Sequence, residues 1–275
     1  MKSYRLGYCL WLLSGKTLPE RIDFLYGLGF RSVAKLQSTG SEKSAEAREA
    51  AQVIRERGMT MTCHTNVQAN LKDGRMDPDF ARRALEDDLW WHEATGGAVR
   101  SCCSDLVVRH DPRTVLMEDT IQLAGMQREI LGGRGILTGI ENSPEEYALP
   151  DDFAAMAPHV SAVLWDAGHA NIALNRLPQL QGLTMEEYLD AVPLPVAEVH
   201  ITDNHGERDE HLAPLDGNLD FAALRRGLDK RPETPVVSLE YCKDIGNGLY
   251  DHDITIPAER DKVLRATDRL KALFA

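Results

Sequence analysis

Four residues able to bind a metal or move a proton close four apolar runs: Gly139-Ile140-Glu141-Asn142, Trp165-Asp166-Ala167-Gly168-His169, Glu198-Val199-His200-Ile201 and Ser238-Leu239-Glu240-Tyr241. Counted from Glu141 through Asp166 and His200 to Glu240, they lie 25, 34 and 40 positions apart. Each interval is about one strand, loop and helix, so repeated units of that kind bring all four to the mouth of a parallel barrel. Three carboxylates and one imidazole suit one divalent cation, with manganese, magnesium, cobalt and zinc all chemically possible. Carboxylates on two sides of a substrate can also exchange protons with it while a cation polarises its carbonyl. Any one of these carboxylates alone is as easily a helix cap or the partner of an arginine; four at matched strand ends point to a site.

The elements that position them recur eight times. Apolar, strand-like runs read as Tyr4–Trp11, Ser32–Gln37, Thr60–Val67, Val99–Val107, Ile136–Asn142, Ala162–Asp166, Ala197–Thr202 and Val236–Tyr241. Helical patterns lie between them. Thr17-Leu18-Pro19-Glu20 combines a capping box with a first-turn proline, followed by Ile22, Leu25 and Tyr26 on one face and Gly29 as a stop. Thr184-Met185-Glu186-Glu187 repeats the box, and Val263, Ala266, Leu270 and Phe274 stripe the last helix. Eight alternating units predict a (β/α)8 TIM barrel in a single domain spanning residues 1–275, with an open doubly wound sheet as the runner-up. Ser14-Gly15-Lys16-Thr17 ends like a phosphate loop but lacks the earlier glycine of that motif.

With 275 residues, 43% hydrophobic and 27% charged, the chain has an ordinary globular composition. Its formal charge of −12, from 31 basic and 43 acidic side chains, disfavours a protein that works by neutralising nucleic-acid phosphates. Five cysteines without a CxxC pair read as reduced, buried thiols, consistent with a cytoplasmic protein. Leu10-Trp11-Leu12-Leu13 superficially resembles a signal-peptide core but is short, and Arg5 and Gly7 interrupt its approach, so a first strand is expected. No run approaches the roughly 18 apolar residues of a membrane span. A homo-oligomer is left open.

Several motifs together carry a family resemblance. Glu141-Asn142 after a strand, Asp166-x-Gly168-His169, His200-Ile-Thr-Asp203 and Asp209-Glu-His211-Leu-Ala-Pro214-Leu-Asp-Gly217 resemble the xylose-isomerase-like barrel superfamily. That group includes sugar isomerases and epimerases, inosose dehydratases and the type IV apurinic endonucleases. The resemblance implies metal ligands at Glu141, Asp166, His200 and Glu240, with Glu141 and Glu240 also acting as acid and base, and a substrate contact at His169. Comparison with the endonucleases adds His64, His110, Asp209 and His211 as rough counterparts of further ligands, which would place a second metal site at Asp209 and His211. The same tail occurs in sugar-type members, where it orders the loop after the seventh strand. His64 and His110 lack the neighbouring glycines and prolines of the nucleases; His64 is read as a substrate contact and His110 as a loop residue.

Lys35 and Arg208 are further candidates for substrate binding, against the simpler alternatives of a salt bridge and a solvated surface. Tyr8, Trp11 and Trp165 can form an apolar wall against a sugar face, whereas Trp90 and Trp91 read as packing residues. His92, His159 and His252 have no ligand context. The expected protein is therefore a metal-dependent isomerase or epimerase acting on a small carbohydrate or keto-polyol by proton transfer next to a carbonyl. A dehydratase sharing the first proton removal is the nearest rival, and a zinc nuclease the more distant one.

Overall fold

The eight apolar runs become eight parallel strands: β1 (Arg5–Cys9), β2 (Ser32–Leu36), β3 (Thr60–Thr65), β4 (Val99–Ser104), β5 (Leu137–Glu141), β6 (Ala162–Asp166), β7 (Val196–Ile201) and β8 (Val236–Leu239). Each pairs with its sequence neighbours, and β8 pairs with β1, closing the sheet into a barrel. The computed structural model describes residues 2–36, 44–65, 67, 71–110 and 113–275. Gln37, expected to end the second strand, and Asp111, next to His110, lie outside them, as does the side chain of His110. The helices are α1 (Leu18–Gly27), α2 (Ala45–Glu56), α3 (Pro78–Ala94), α4 (Met117–Leu131) and α5 (Pro150–Met156). They continue with α6 (Ala167–Arg176), α7 (Met185–Asp190), α8 (Phe221–Lys230) and α9 (Pro257–Phe274).

The chain is thus a single-domain (β/α)8 barrel, and local chemistry explains its elements. Glu20 accepts the Thr17 backbone N–H at 3.0 Å at the start of α1, and Gly29, at φ +94°, adopts the left-handed turn that ends it. Residues of β6 alternate between the barrel interior and the helix layer. Trp165 takes the outer side, fully buried, with its ring 6.0 Å from that of Phe153 on α5 and 4.8 Å from that of Tyr188 on α7. Val263, Ala266, Leu270 and Phe274 of α9 are buried as their stripe implies. Among the described residues, no helix is long and apolar enough to cross a membrane.

Several expected strands end one to three residues early, and two of these ends shape the mouth. The first, read through Trp11, stops at Cys9 because the chain coils into a 3-10 turn at Leu10–Leu12. That turn swings Trp11 over the barrel mouth. The fourth, read through Val107, stops at Ser104, the last residue paired with β5, and leaves Asp105 on the rim.

Candidate active site

Glu141 and Asp166 end β5 and β6, His200 is the penultimate residue of β7, and Glu240 directly follows β8. The barrel brings one donor atom from each of the four within 4.8 Å of the others, all four residues being buried. His200 Nδ1 lies 2.9 Å from Glu240 Oε2 and 3.8 Å from Glu141 Oε1. Among the described residues neither contact of Nδ1 has hydrogen-bond geometry, and the buried Asp166 Oδ2 has no hydrogen-bond partner. Buried polar atoms are seldom left so. A cation held by three carboxylates and an imidazole would satisfy both, so the residues present fit a divalent ion.

Around this set the chain is tied down by short hydrogen bonds. Asn142 bridges β5 and β6: its Oδ1 accepts the Asp166 backbone N–H at 2.6 Å and its Nδ2 donates to the Asp166 carbonyl at 3.0 Å. Asp166 Oδ1 caps α6 by accepting the His169 N–H at 2.6 Å, which leaves Oδ2 free to face the site. Gly168 permits this entry, since a Cβ there would stand 2.1 Å from Thr202 Oγ1. His169 Nδ1 donates to the Asn142 carbonyl at 2.8 Å, turning Nε2 toward Asp209 Oδ2 at 3.4 Å. The same Asp209 oxygen lies 2.8 Å from His211 Nε2. His211 has φ +47°, a conformation uncommon outside glycine, and its loop is anchored by the Asp203–Leu212 bridge and by Gly217 N–H donating to Asp203 at 2.9 Å. The tail motif of the sequence is therefore the framework that holds Asp209 and His211.

His64, on the inner face of β3, places Nε2 3.1 Å from Asp105 Oδ1 and 3.2 Å from Glu141 Oε2. Asp105 was not singled out from the sequence. Its signal was present, a carboxylate directly after the fourth barrel strand, but Ser-Cys-Cys-Ser before it lacks the apolar character of the other runs. Burial opposes protonation of His64, yet Asp105 and Glu141 outweigh it and raise its pKa to about 9. Asp105 is correspondingly held down at about 2 by His64, against its own burial. Burial dominates at Glu141 and pushes it up to about 8. At Glu240 burial acts the same way but His200 and His211 prevail, bringing it down to about 2. The two glutamates are thus driven in opposite directions.

Two connected lobes open above the strands. The inner one, about 480 Å³, has an apolar wall of Trp11, Leu12, Ile245 and Tyr250 facing His64, Asp105, Glu141, His169, Asp209, His211 and Glu240. The outer one, about 440 Å³, shares Asp105, Glu141, His169 and Asp209 and extends past Ile172 to Arg176 and Arg208. Arg208 is largely exposed, 3.6 Å from Glu210, and so stands on the outer rim. Lys35 corrects an expectation: its position on β2 turns it away from the mouth, where it is buried against Asp88 of α3 at 3.2 Å, and Asp88 also accepts from Thr65 at 2.9 Å. Of the expected aromatic wall only Trp11 lines the cavity. Tyr8 is buried against Phe30, and Trp165 lies under α5 and α7.

No protein-family profile matches the chain. An uncharacterized protein of Methanocaldococcus jannaschii is 28% identical over 120 residues, covering 41% of this chain and 39% of its own length. The chain therefore spans about two fifths of that curated relative. Solved structures match along the whole barrel. D-psicose 3-epimerase from Clostridium cellulolyticum H10 superposes with TM-score 0.72 at 13% identity, over 98% of this chain and 99% of its own. A xylose isomerase domain protein from Alicyclobacillus acidocaldarius gives 0.68 at 18%, covering 98% of both chains. A sugar phosphate isomerase/epimerase from Parabacteroides distasonis gives 0.66 at 13%, over 100% and 96%. The chain has the xylose-isomerase-like TIM-barrel fold.

Proposed function

We propose that this protein is a divalent-metal-dependent sugar or keto-polyol isomerase or epimerase that moves a proton next to a carbonyl. The observation that carries this is the convergence of Glu141, Asp166, His200 and Glu240 in a buried set with two orphaned donor atoms, at the floor of a cavity of sugar size. Support comes from fold relatives whose names specify epimerases of D-psicose and L-ribulose.

The four residues would hold one cation, which when bound would supply Lewis-acid polarisation of a carbonyl and compensation of adjacent negative charge. Glu141 and Glu240, on strands three apart in chain order, reach the substrate from two sides and act as the acid–base pair. His64 and His169 contact substrate oxygens from the flanks. Trp11 and Tyr250 cover the less polar face of the sugar and exclude water, and Arg208 meets the end of the ligand that emerges at the rim. Asp209 and His211 orient His169. A stoichiometry above one metal per chain that fell to one in His211→Ala would instead make that pair a second metal site.

The test is turnover of D-fructose, D-tagatose and L-ribulose by protein reloaded with Mn2+ or Co2+ after chelation, read by sugar chromatography. Interconversion that is abolished by chelator, and in His200→Ala together with its bound metal, is the expected result. Equal turnover by metal-free protein would refute the proposal, and a product with a new conjugated absorbance would replace epimerisation by dehydration.

A further inference from the structure

Below the four-residue set the barrel interior contains a carboxylate with no task in the reaction described above. Glu198 lies on β7 two residues before His200, so both side chains point inward. It is 1% exposed. Its Oε1 accepts the Thr62 hydroxyl of β3 at 2.9 Å and the Ser238 hydroxyl of β8. Gly7 on β1 leaves space for this polar layer, since a Cβ there would stand 2.5 Å from Ser238 Oγ. Burying a carboxylate costs several kcal/mol, and an apolar side chain of similar size would fill the layer more cheaply. Two neutral hydroxyls do not offset that cost.

His200 supplies the reason. One edge of its ring, Nδ1, faces Glu240 and Glu141 in the candidate site. The other edge, Nε2, faces down, 3.7 Å from Glu198 Oε1 and 3.9 Å from the Cys9 thiol. A cation on Nδ1 leaves the ring proton on Nε2. Histidines that bind metals regularly give that second proton to a carboxylate or carbonyl, which fixes the ring and strengthens it as a donor.

We propose that Glu198 is a positioning residue for the cation: held from β3 and β8 by Thr62 and Ser238, its carboxylate accepts a hydrogen bond from His200 Nε2–H when the cation is bound and keeps Nδ1 aimed into the site. This rests on the metal reading of the proposed function. It makes Glu198 a determinant of metal affinity although it touches neither metal nor substrate.

The test is Co2+ binding to the chelator-stripped full chain, followed by the visible absorbance of the bound ion in competition with a chelator of known affinity. Glu198→Gln preserves shape and removes the charge, and should weaken Co2+ about 10- to 100-fold. Thr62→Val removes one hydroxyl that holds Glu198 and, acting on the cation only through that carboxylate, should weaken its binding by less than Glu198→Gln does, about 2- to 10-fold. His200→Ala calibrates the assay. If the wild type binds Co2+ and His200→Ala loses it, but Glu198→Gln binds within about twofold of the wild type, this inference alone is overturned. A wild type that takes up no Co2+ overturns the metal reading and the inference together. Should circular dichroism show Glu198→Gln unfolded, Thr62→Val decides, and an unchanged affinity there overturns the proposal.

Discussion

His169 is the residue where recognition and metal binding are most easily separated. Its Nδ1 is committed to the Asn142 carbonyl and its Nε2 faces Asp209 at the cavity wall. His169→Ala should therefore lower kcat/KM about 10- to 100-fold, the loss of a hydrogen bond to a charged or developing-charge oxygen, while elemental analysis still finds the ion. Loss of metal in parallel with activity would place His169 among the ligands. At this scale the sequence was legible where a ligand-type residue closes an apolar run, as at Glu141, Asp166, His200 and Glu240. It was not legible for Lys35, because spacing alone does not show which face of a strand a residue occupies. Lys35 pairs in register with Cys63 and shares its outward direction, whereas His64, one position on, faces in. Direction is a matter of strand parity, and parity is fixed only once the register is known.

Two elements are held by polar contacts that periodicity does not reveal. Asn142 staples β5 to β6 through both groups of its amide and sets the position of Asp166. Asn142→Ala orphans the buried backbone N–H of Asp166, whose carbonyl keeps the first hydrogen bond of α6, so urea denaturation should show a loss of about 1–3 kcal/mol; a loss below about 0.5 kcal/mol would mean the staple is dispensable. At the other end of the chain, Glu259 in the first turn of α9 meets His252 Nδ1 at 2.9 Å. Burial lowers His252 below its ordinary 6.5 despite Glu259. Glu259 lies below its ordinary 4.5, because the His252 hydrogen bond and Lys262 outweigh its burial. In both cases the unfolded chain takes up its proton first as pH falls. The stability contributed by the pair is present above 6.5 and is lost in two steps, below 6.5 and then below 4.5. Glu259→Gln should flatten the dependence of the urea midpoint on pH below 4.5; a profile parallel to the wild type would contradict this assignment. His252 had read as a histidine without ligand context, and the structure gives it this anchoring contact instead.

For the molecule as a whole, eight strand-loop-helix units were readable because most strands are short apolar runs and several helices carry cap signals, as at Thr17 and Thr184. Closure of the barrel follows from their number. The loops were less readable: the 3-10 turn that brings Trp11 to the mouth, the left-handed His211 and the placement of Asp105 depend on contacts between distant units, which no local pattern contains. The site is a property of the closed barrel, since Glu141 and Glu240 become neighbours only when β5 through β8 are curved together. The central claim is that these two glutamates move a proton beside a substrate carbonyl. It is tested most directly by incubating the metal-loaded protein with a converted ketose in deuterated water and locating the label by NMR. Deuterium should enter at the carbon next to the carbonyl, and Glu141→Gln and Glu240→Gln should each suppress its entry even where metal is retained. Turnover that carries no solvent deuterium into that carbon at any stage, under conditions that exclude a shielded proton relay, would contradict the account.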